Sequence, residues 1–446
     1  MADTIVIRDA WTIDGAPQSL RIEDGMIVAA RADIEPAGRT IDAGGRVIHP
    51  GLADHHIHLF AAAARLRSVD LSGCLSASDI RSRLGSAPPG PIRAIGYDER
   101  CAGLPDRQAL DRWVGDRPLR IQDRTGALWL LNSAAVGTLG AGPFPGGVEI
   151  ASDGTPTGRI RREDRWLRER LGGSAPDLAP LSRALAEWGL TEVTDAGPHN
   201  GPDEAALLES AIQRGELLQD LILMGDETLP ESRLYRRGPL KLHYDEATLP
   251  DPAAVARRVR AARAAGRGVA AHCVTISELL LYLAALDEAG GVVRGDRIEH
   301  GGMIPQSLLP DIAQAGLTVV SNPGFVRTRG DRYRATIAVD DQPDLYRLAS
   351  LERCSIPLLA GSDAPYGFPD PWLAIRAAVD RRTDEGAVLG PGEALSPTAA
   401  LDLYRSGRTL VPGSPANLVL LEADWAIAAG SPVTLTMIGG RVIFQR

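Results

Sequence analysis

The sequence has almost no lysine: of its 48 basic residues, Lys241 is lysine and the others are arginine. Cysteine is scarce as well, with four scattered residues and no CxxC pair, which excludes a dense disulfide framework. We expect reduced cysteines that serve mainly in packing. No apolar run approaches the ~20 residues that a membrane-spanning helix needs, so we expect a soluble protein.

The first residues do not show the pattern of a secretory signal, and the chain has no excess of basic residues. Residues 1–9 contain neither a basic start nor an apolar block, and we therefore expect a cytoplasmic protein. The formal net charge of -9 disfavours nucleic acid and anionic membrane as partners, because both require a basic patch. The sequence thus predicts a small-molecule substrate as partner and leaves a homodimer open.

Two patterns of apolar and polar residues divide the chain. Short alternating runs with Gly, Asp and Pro turns mark both ends, and we expect residues 1–49 and 405–446 to form one small β-sandwich. Between them, in residues 50–404, apolar runs alternate with amphipathic helices, which is typical of parallel βαβ units. The predicted fold is α/β: a (β/α)8 TIM barrel with a sandwich built from both chain ends.

The spacing of candidate strands supports the barrel. Seven candidates follow residue 190, and an eighth, earlier strand would run into His56. Lys241, His272 and His300 follow one another at intervals of about 30 residues, close to the ~31 per unit of a ~250-residue barrel with eight units. A segment at about 61–183 is too long for one crossover, and we predict an insertion beside the barrel mouth that helps to form the substrate pocket.

One helix is marked at both ends by its sequence. Asp251 suits the N-cap, Pro252 suits the first turn, and Gly266 suits the stop. Val255 and Val259 recur on one face between them, which predicts a helix that packs through this face and leads into the strand of His272.

Four of the eight histidines fall at predicted strand ends. His56 and His58 lie two positions apart, so both imidazoles project from the same face of a strand. His272 and His300 each close an apolar strand, at the edge where barrel enzymes place reactive groups. Asp363 ends the last strand in the same manner. Each residue alone could be a buried, hydrogen-bonded histidine or a turn aspartate, but together they predict a metal site.

Lys241 lies near the end of an apolar strand, a poor place for an unpaired ammonium. Lysine can lose its proton when it is desolvated, whereas arginine cannot, so only lysine can react with carbon dioxide to give a carbamate that bridges two cations. The alternative is packing or a surface ion pair, which arginine would serve equally well in this arginine-rich chain.

With these residues assembled, the sequence resembles the amidohydrolase superfamily of metal-dependent hydrolases over nearly its whole length. The motifs that carry the resemblance are PGLxDxHxH at 50–58, Lys241, His272, His300, and Asp363 in GSDAP. Within the superfamily, the sequence looks like the branch that includes N-substituted formamide deformylase, through GYDER at 96–100, NSAAV at 132–136 and DPWLAIRAAVDRR at 370–382.

The resemblance implies two divalent metal ions, for which zinc is the first expectation. One would be held by His56 and His58 and the other by His272 and His300, with carboxylated Lys241, formed with carbon dioxide, as the bridge. The sixth predicted ligand is Asp363, which would bind the first metal and act as the catalytic proton shuttle.

The chain departs from the family at two positions. Asn417 replaces a usual aspartate in the terminal β-unit, and Thr275 stands where deaminase-like members carry a catalytic glutamate. The first departure hardly touches the chemistry. The second disfavours a deaminase.

The predicted activity is hydrolysis of a C–N bond, in an amide, N-acyl or N-formyl compound, by a metal-bound hydroxide. Two alternatives stay open: a deaminase or cyclic amide (lactam) hydrolase, and a catalytically silent scaffold of the same fold. Six residues in loops or strand ends are predicted substrate contacts, although each could be structural: Tyr97, Arg124, Trp129, Asn132, Arg327 and Trp372.

Overall fold

The computed structural model describes residues 4–172 and 175–446, apart from the side chain of Arg165. The strands in this part of the chain are β1 (Thr4–Trp11), β2 (Pro17–Glu23), β3 (Met26–Arg31), β4 (Arg39–Asp42), β5 (Val47–Pro50), β6 (Leu52–Ile57), β7 (Val69–Asp70), β8 (Ile92–Tyr97), β9 (Leu119–Asp123), β10 (Leu128–Leu131), β11 (Val148–Ile150), β12 (Pro156–Arg161), β13 (Leu190–Asp195), β14 (Asp220–Gly225), β15 (Arg236–Leu242), β16 (Val269–Cys273), β17 (Arg297–His300), β18 (Thr318–Ser321), β19 (Leu358–Ala360), β20 (Leu418–Leu421), β21 (Val433–Ile438) and β22 (Arg441–Gln445).

The α-helices over the same residues are α1 (Leu59–Leu66), α2 (Ala77–Gly85), α3 (Glu99–Ala102), α4 (Arg107–Val114), α5 (Ser133–Gly137), α6 (Asp164–Leu171), α7 (Ala179–Glu187), α8 (Pro202–Gln213), α9 (Pro252–Ala264), α10 (Ile276–Glu288), α11 (Leu309–Ala315), α12 (Gly324–Thr336), α13 (Leu348–Arg353), α14 (Pro371–Asp380) and α15 (Pro397–Asp402). Among these described helices, none has the length and apolar character needed to cross a bilayer.

Eight parallel strands form the central sheet, in the order β6, β13, β14, β15, β16, β17, β18, β19. Backbone hydrogen bonds join its first and last members just beyond the strands: the N–H of Asp363 donates to the carbonyl of His56 at 2.7 Å, and the N–H of His58 donates to the carbonyl of Ala364 at 2.9 Å. The predicted (β/α)8 barrel is therefore confirmed.

Helix α9 begins at the residue, and packs through the face, that its local sequence predicts. Asp251 is its N-cap and accepts a hydrogen bond from the backbone N–H of Ala253 at 2.7 Å, and Pro252 is its first residue. Val255 and Val259 are buried, as the pattern predicted. The capping and the apolar face of this helix are therefore confirmed.

Both chain ends enter a second sheet of eight strands, in the order β22, β21, β20, β5, β1, β2, β3, with β4 paired to β1. The join between the ends is the antiparallel pairing of β20 with β5. Aliphatic side chains from both ends, including Ile7, Leu20 and Leu418, share one buried cluster. The predicted β-unit from the two ends is thus present, and it belongs with the barrel to one compact unit, Met1–Leu59 and Leu178–Arg446.

The insertion, predicted at about 61–183, forms a second compact unit, Phe60–Asp177. Its sheet has six strands in the order β11, β12, β10, β9, β8, β7. Leu110 of α4 packs with Ile121 and Leu130 of the sheet in a buried cluster. The long insertion therefore has a hydrophobic core of its own.

A buried arginine ties barrel strands β14 and β15 together. Arg267 is 6% exposed and donates hydrogen bonds to four backbone carbonyls, those of Gly225 (3.2 Å), Asp226 (2.6 Å), Gly238 (3.1 Å) and Pro239 (2.9 Å). Since buried carbonyls without a donor are costly, this side chain stabilises the barrel wall.

Replacing Arg267 with methionine is expected to lower the free energy of unfolding by about 3 kcal/mol or more, because several carbonyls lose their donor at roughly 1–3 kcal/mol each. Urea denaturation measures this loss. Arg260→Met is the matched control, since Arg260 makes one exposed hydrogen bond, to the carbonyl of Glu288, and its loss should cost less than about 0.5 kcal/mol. Equal losses in the two variants would contradict this role for Arg267.

Candidate metal centre

All six predicted metal ligands lie at or just beyond the carboxyl ends of barrel strands. They are His56 in β6, His58 directly after it, Lys241 in β15, His272 in β16, His300 at the end of β17, and Asp363 shortly after β19. Parallel strands of a barrel end at the same rim, so these side chains converge on one region.

Three of the six form a tight group. The Oδ1 atom of Asp363 lies 3.1 Å from Nε2 of His58 and 3.6 Å from Nε2 of His56. In the described part of the chain, these three residues can each offer one ligand atom such that all the atoms lie within 4.8 Å of one another. This is a donor set that a divalent cation could use.

The imidazole rings of the other two predicted histidine ligands, His300 and His272, lie next to this group. The ring centroids of His300 and His56 are 4.7 Å apart, and those of His272 and His300 are 4.6 Å apart. Burial lowers the pKa of His56, His272 and His300 well below the usual value, and the positive charge of Lys241 adds to this effect. The three imidazoles are therefore neutral at pH 7, and each can offer a nitrogen lone pair to a cation.

Lys241 is 3% exposed, and its Nζ atom has no hydrogen-bond partner within residues 4–172 and 175–446. Burial lowers the pKa of this amine, while the negative charges of Glu299 and Asp363 act in the opposite direction. A buried amine without a partner is unfavourable. A partner for this amine beyond the side chains around it would therefore stabilise the position.

The backbone brings Asp363 against His56. Gly361 makes this approach possible, because a Cβ atom there would lie 2.4 Å from Cβ of His56. Asp363 itself adopts a φ of +53°, in the left-handed region, and its carbonyl accepts the N–H of Tyr366 at 2.8 Å. Such backbone strain is typical of residues that a functional site holds in place.

Neighbouring groups favour the ionised form of Asp363. Burial alone would raise the pKa of the carboxyl group, but the hydrogen bond to His58 and the charges of nearby groups outweigh it and lower the pKa below its usual value. Asp363 is therefore a carboxylate at neutral pH, able to bind a cation or accept a proton.

Side chains behind the ligands hold two of the imidazoles. Nδ1 of His300 lies 2.7 Å from Oδ1 of Asn322, whose Nδ2 donates to the carbonyl of Gly361 at 2.8 Å. Nδ1 of His56 is hydrogen-bonded to Oε2 of Glu299. In both residues the Nδ1 atom is occupied, so the Nε2 atom is the one available to a metal.

Three residues of this region were not predicted from the sequence: Glu299, Asn322 and Asp54. Asp54 accepts hydrogen bonds from the N–H groups of His56 and Ser362, both at 3.0 Å, and burial raises the pKa of its carboxyl group to about 6. A signal existed for two of them: Asp54 lies inside the PGLxDxHxH motif, and Glu299 directly precedes the predicted ligand His300. Asn322 carried no signal.

The predicted substrate contacts of the insertion have partners within the insertion itself. Tyr97, Trp129 and Asn132 are buried, and Arg124 is half-buried. Their polar contacts are the Tyr97 hydroxyl to the Gly103 carbonyl, the Trp129 indole N–H to Asp164, the Asn132 amide as cap of α5, and the Arg124 guanidinium to Asp98 and Glu99. Packing accounts for the first three, and substrate contact by any of the four stays a prediction.

Two further predicted contacts lie in the barrel unit. Arg327 in α12 forms an ion pair with Asp384 at 3.0 Å. Trp372 is 2% exposed, and its indole N–H donates to the carbonyl of Trp188, just before the start of β13. Packing near the start of β13 accounts for the burial of Trp372, and a substrate contact by this residue stays a prediction.

Comparison with known proteins identifies the family of this chain. The model of the Amidohydrolase family matches residues 39–444. N-substituted formamide deformylase of Arthrobacter pascens is 26% identical, over 95% of this chain and 94% of that protein. Among solved structures, an uncharacterized metal-dependent hydrolase from Pyrococcus horikoshii OT3 has a TM-score of 0.78 at 18% identity, over 95% of this chain and 98% of that one. A second, from Pyrococcus furiosus, has a TM-score of 0.74 at 22% identity, over 94% and 99%. The chain belongs to the amidohydrolase family of hydrolases.

Proposed function

We propose that this amidohydrolase cleaves the C–N bond of a small amide, in particular an N-acyl or N-formyl amine, at a centre of two divalent metal ions. The observation that carries the proposal is the orphaned amine of Lys241 among three neutral imidazoles. The relative from Arthrobacter pascens, a deformylase of N-substituted formamides, supports the class of bond.

The residues present fit two cations. His56, His58 and Asp363 would hold the first, and His272 and His300 the second, a set of nitrogen and oxygen donors that suits zinc and other divalent metals. The amine of Lys241, whose pKa is lowered by burial, would attack carbon dioxide in its deprotonated form, make a carbamate N–C bond and release one proton to solvent. The resulting carboxylate would bridge the two ions and give the buried Nζ atom a chemical role.

When bound, the two cations supply Lewis-acid polarisation of the substrate carbonyl and a lowered pKa for the attacking water. Asp363 would act as general base and then as general acid. As a carboxylate it would take the proton of the water, and as an acid it would deliver this proton to the nitrogen of the leaving amine. The pKa of Asp363, lowered by its hydrogen bond to His58 and by nearby charges, favours the carboxylate form that this first step requires.

Deamination is not favoured by the side chains after His272. Thr275, which stands where deaminase-like members carry glutamate, caps helix α10, and its side chain accepts the N–H of Glu278 at 3.3 Å. The carboxylate of Glu278 accepts the N–H groups of Val274 and Thr275 through Oε2, at 2.8 and 2.9 Å, and its Oε1 atom lies 3.9 Å from Nε2 of His272. The threonine at position 275 is therefore what disfavours a deaminase.

A substrate screen with metal-replete enzyme tests the function. N-formyl amines, N-acyl amines, lactams and cyclic amidines are incubated with the protein, and released amine and ammonia are measured separately. We expect release of amine from acyclic amides, and none from protein stripped of metal. Ammonia from amidines would instead identify a deaminase. No turnover, together with less than one equivalent of metal per chain, would identify a silent scaffold and refute the proposal.

A further inference from the structure

A fully buried carboxylate lies directly behind the first predicted metal position. Glu299 is 0% exposed, and its Oε2 atom is hydrogen-bonded to Nδ1 of His56. Its Oε1 atom accepts a hydrogen bond from Nε of Arg297. The proposed chemistry uses neither Glu299 nor Arg297, although together they hold one of the metal ligands.

The two hydrogen bonds determine which nitrogen of His56 carries the proton. A carboxylate paired with a guanidinium only accepts hydrogen bonds, so Nδ1 of His56 must donate. An imidazole with a single N–H that donates from Nδ1 carries its lone pair on Nε2. Nε2 is the atom that faces Asp363, at 3.6 Å.

We propose that Glu299 is a positioning residue, which holds His56 in the tautomer with hydrogen on Nδ1 and thereby presents the Nε2 lone pair to the first metal. The part of this inference that concerns the metal rests on the proposed function. The part that concerns the tautomer rests on the hydrogen bonds of the protein alone.

The arginine that pairs with Glu299 is itself held by a hydrogen bond to another strand of the barrel. Arg297 donates from Nη2 to the carbonyl of His55 at 2.8 Å, so one guanidinium connects β17 to β6 through the barrel. Neighbouring residues of a strand usually face opposite sides. His300 adopts a φ of +68°, which turns its ring toward His56 although the adjacent Glu299 also contacts His56. Left-handed backbone in a residue other than glycine is uncommon and indicates that the surroundings impose it.

A purely structural ion pair is the rival explanation, and the chain contains a matched example. Asp296, one residue before β17, has a 0% exposed side chain and pairs with Arg263 at 2.8 Å. It also accepts the N–H of Val269 at 2.9 Å. This pair contacts none of the predicted ligands, so Asp296→Asn reports the cost of losing a buried carboxylate without any effect on His56.

The first measurement needs no substitution of Glu299. The full-length, metal-free protein, with its fold checked by circular dichroism, is labelled with 15N-histidine, and a long-range 1H–15N spectrum reports the tautomer of each imidazole. His56 is assigned by the loss of its signals in a His56→Asn variant. We expect the proton of His56 on Nδ1. A proton on Nε2 in the unsubstituted protein would overturn the proposal.

Glu299→Gln gives the sharper result. Arg297 requires an acceptor, so the glutamine oxygen faces Arg297 and its NH2 group faces Nδ1 of His56, which must then accept. We expect the proton of His56 to move to Nε2, and the affinity for Zn2+, measured by competition with a chelating dye, to fall by about 10–100-fold. Asp296→Asn should keep both the tautomer and the affinity of the unsubstituted protein. An unchanged tautomer and affinity in Glu299→Gln would refute the positioning role.

The outcomes separate this inference from the proposed function. If Glu299→Gln does not fold, the tautomer of the unsubstituted protein still decides, and Glu299→Asp, whose shorter carboxylate withdraws from Nδ1, supplies the affinity comparison. Failure to hydrolyse any amide, with the expected tautomer and Zn2+ affinities, would refute the C–N activity and leave the role of Glu299 intact.

Discussion

Asp363→Asn is expected to lower kcat for amide hydrolysis by about 10²–10⁴-fold, the usual contribution of general acid–base catalysis. The amide of asparagine can still offer an oxygen to a cation beside His56 and His58, but it cannot take up the proton of the attacking water. Metal content should therefore fall much less than turnover. Initial rates and metal analysis on the same preparation measure the two effects.

Asp195→Asn is a matched control for this experiment. Asp195 is another buried aspartate at the carboxyl end of a barrel strand, and it accepts the N–H of Leu59 at 2.8 Å and Nδ2 of Asn200 at 2.7 Å. The side-chain oxygen of Asn can still accept one of these hydrogen bonds, so we expect the variant to retain most of its activity. Full activity in Asp363→Asn would show that another group moves the proton.

Lys241→Met is expected to abolish binding of one of two metal ions and with it most of the turnover, because no carbamate can form. The folded, metal-free variant should be at least as stable as the unsubstituted protein, since methionine fills a similar volume without burying an unpartnered amine. Metal analysis of protein loaded in bicarbonate buffer and urea denaturation of the metal-free forms measure these two effects.

Lys241→Arg separates charge from carbamate chemistry at the same position. Arginine keeps the positive charge but does not react with carbon dioxide, so this variant should also lose one metal ion. Two equivalents of metal in Lys241→Arg would disprove the bridging carbamate. A hydrolase with a single metal at His56, His58 and Asp363 would survive that result.

Most of the barrel could be predicted because its strands are short apolar runs that end in polar residues. His272 lies in β16, His300 is the last residue of β17, and Asp363 follows shortly after β19. Helix α9 begins where Asp251 and Pro252 indicated. The sheet of the insertion was not predicted, since strands such as β7 have two residues and are held by partners distant in sequence.

The convergence of the predicted ligands follows for the same reason: the carboxyl ends of parallel strands meet at one rim, so residues at the strand ends come together. Glu299 was missed because strand periodicity assigns it to the face opposite His300. Only the left-handed φ of His300 brings both toward His56, and no local pattern in the sequence announces this backbone conformation.

Aromatic residues near loops do not by themselves identify substrate contacts. Trp372 fits such a pattern, yet its indole N–H binds the carbonyl of Trp188 before the start of β13. Trp129 likewise donates to Asp164 within the insertion. A buried aromatic side chain with a polar atom needs a partner, and sequence alone does not say whether this partner is a substrate or the protein.

The single lysine also makes this chain a convenient object for carbon-labelled chemistry. In a protein with many surface lysines, a carbonyl signal acquired from 13C-bicarbonate has to be assigned among many amines. Here one ε-amino group exists, and it is 3% exposed. Apart from the α-amino group, every amine-derived resonance or mass shift reports on one buried position, so the chemical state of Lys241 can be followed in the unsubstituted enzyme throughout metal loading and turnover.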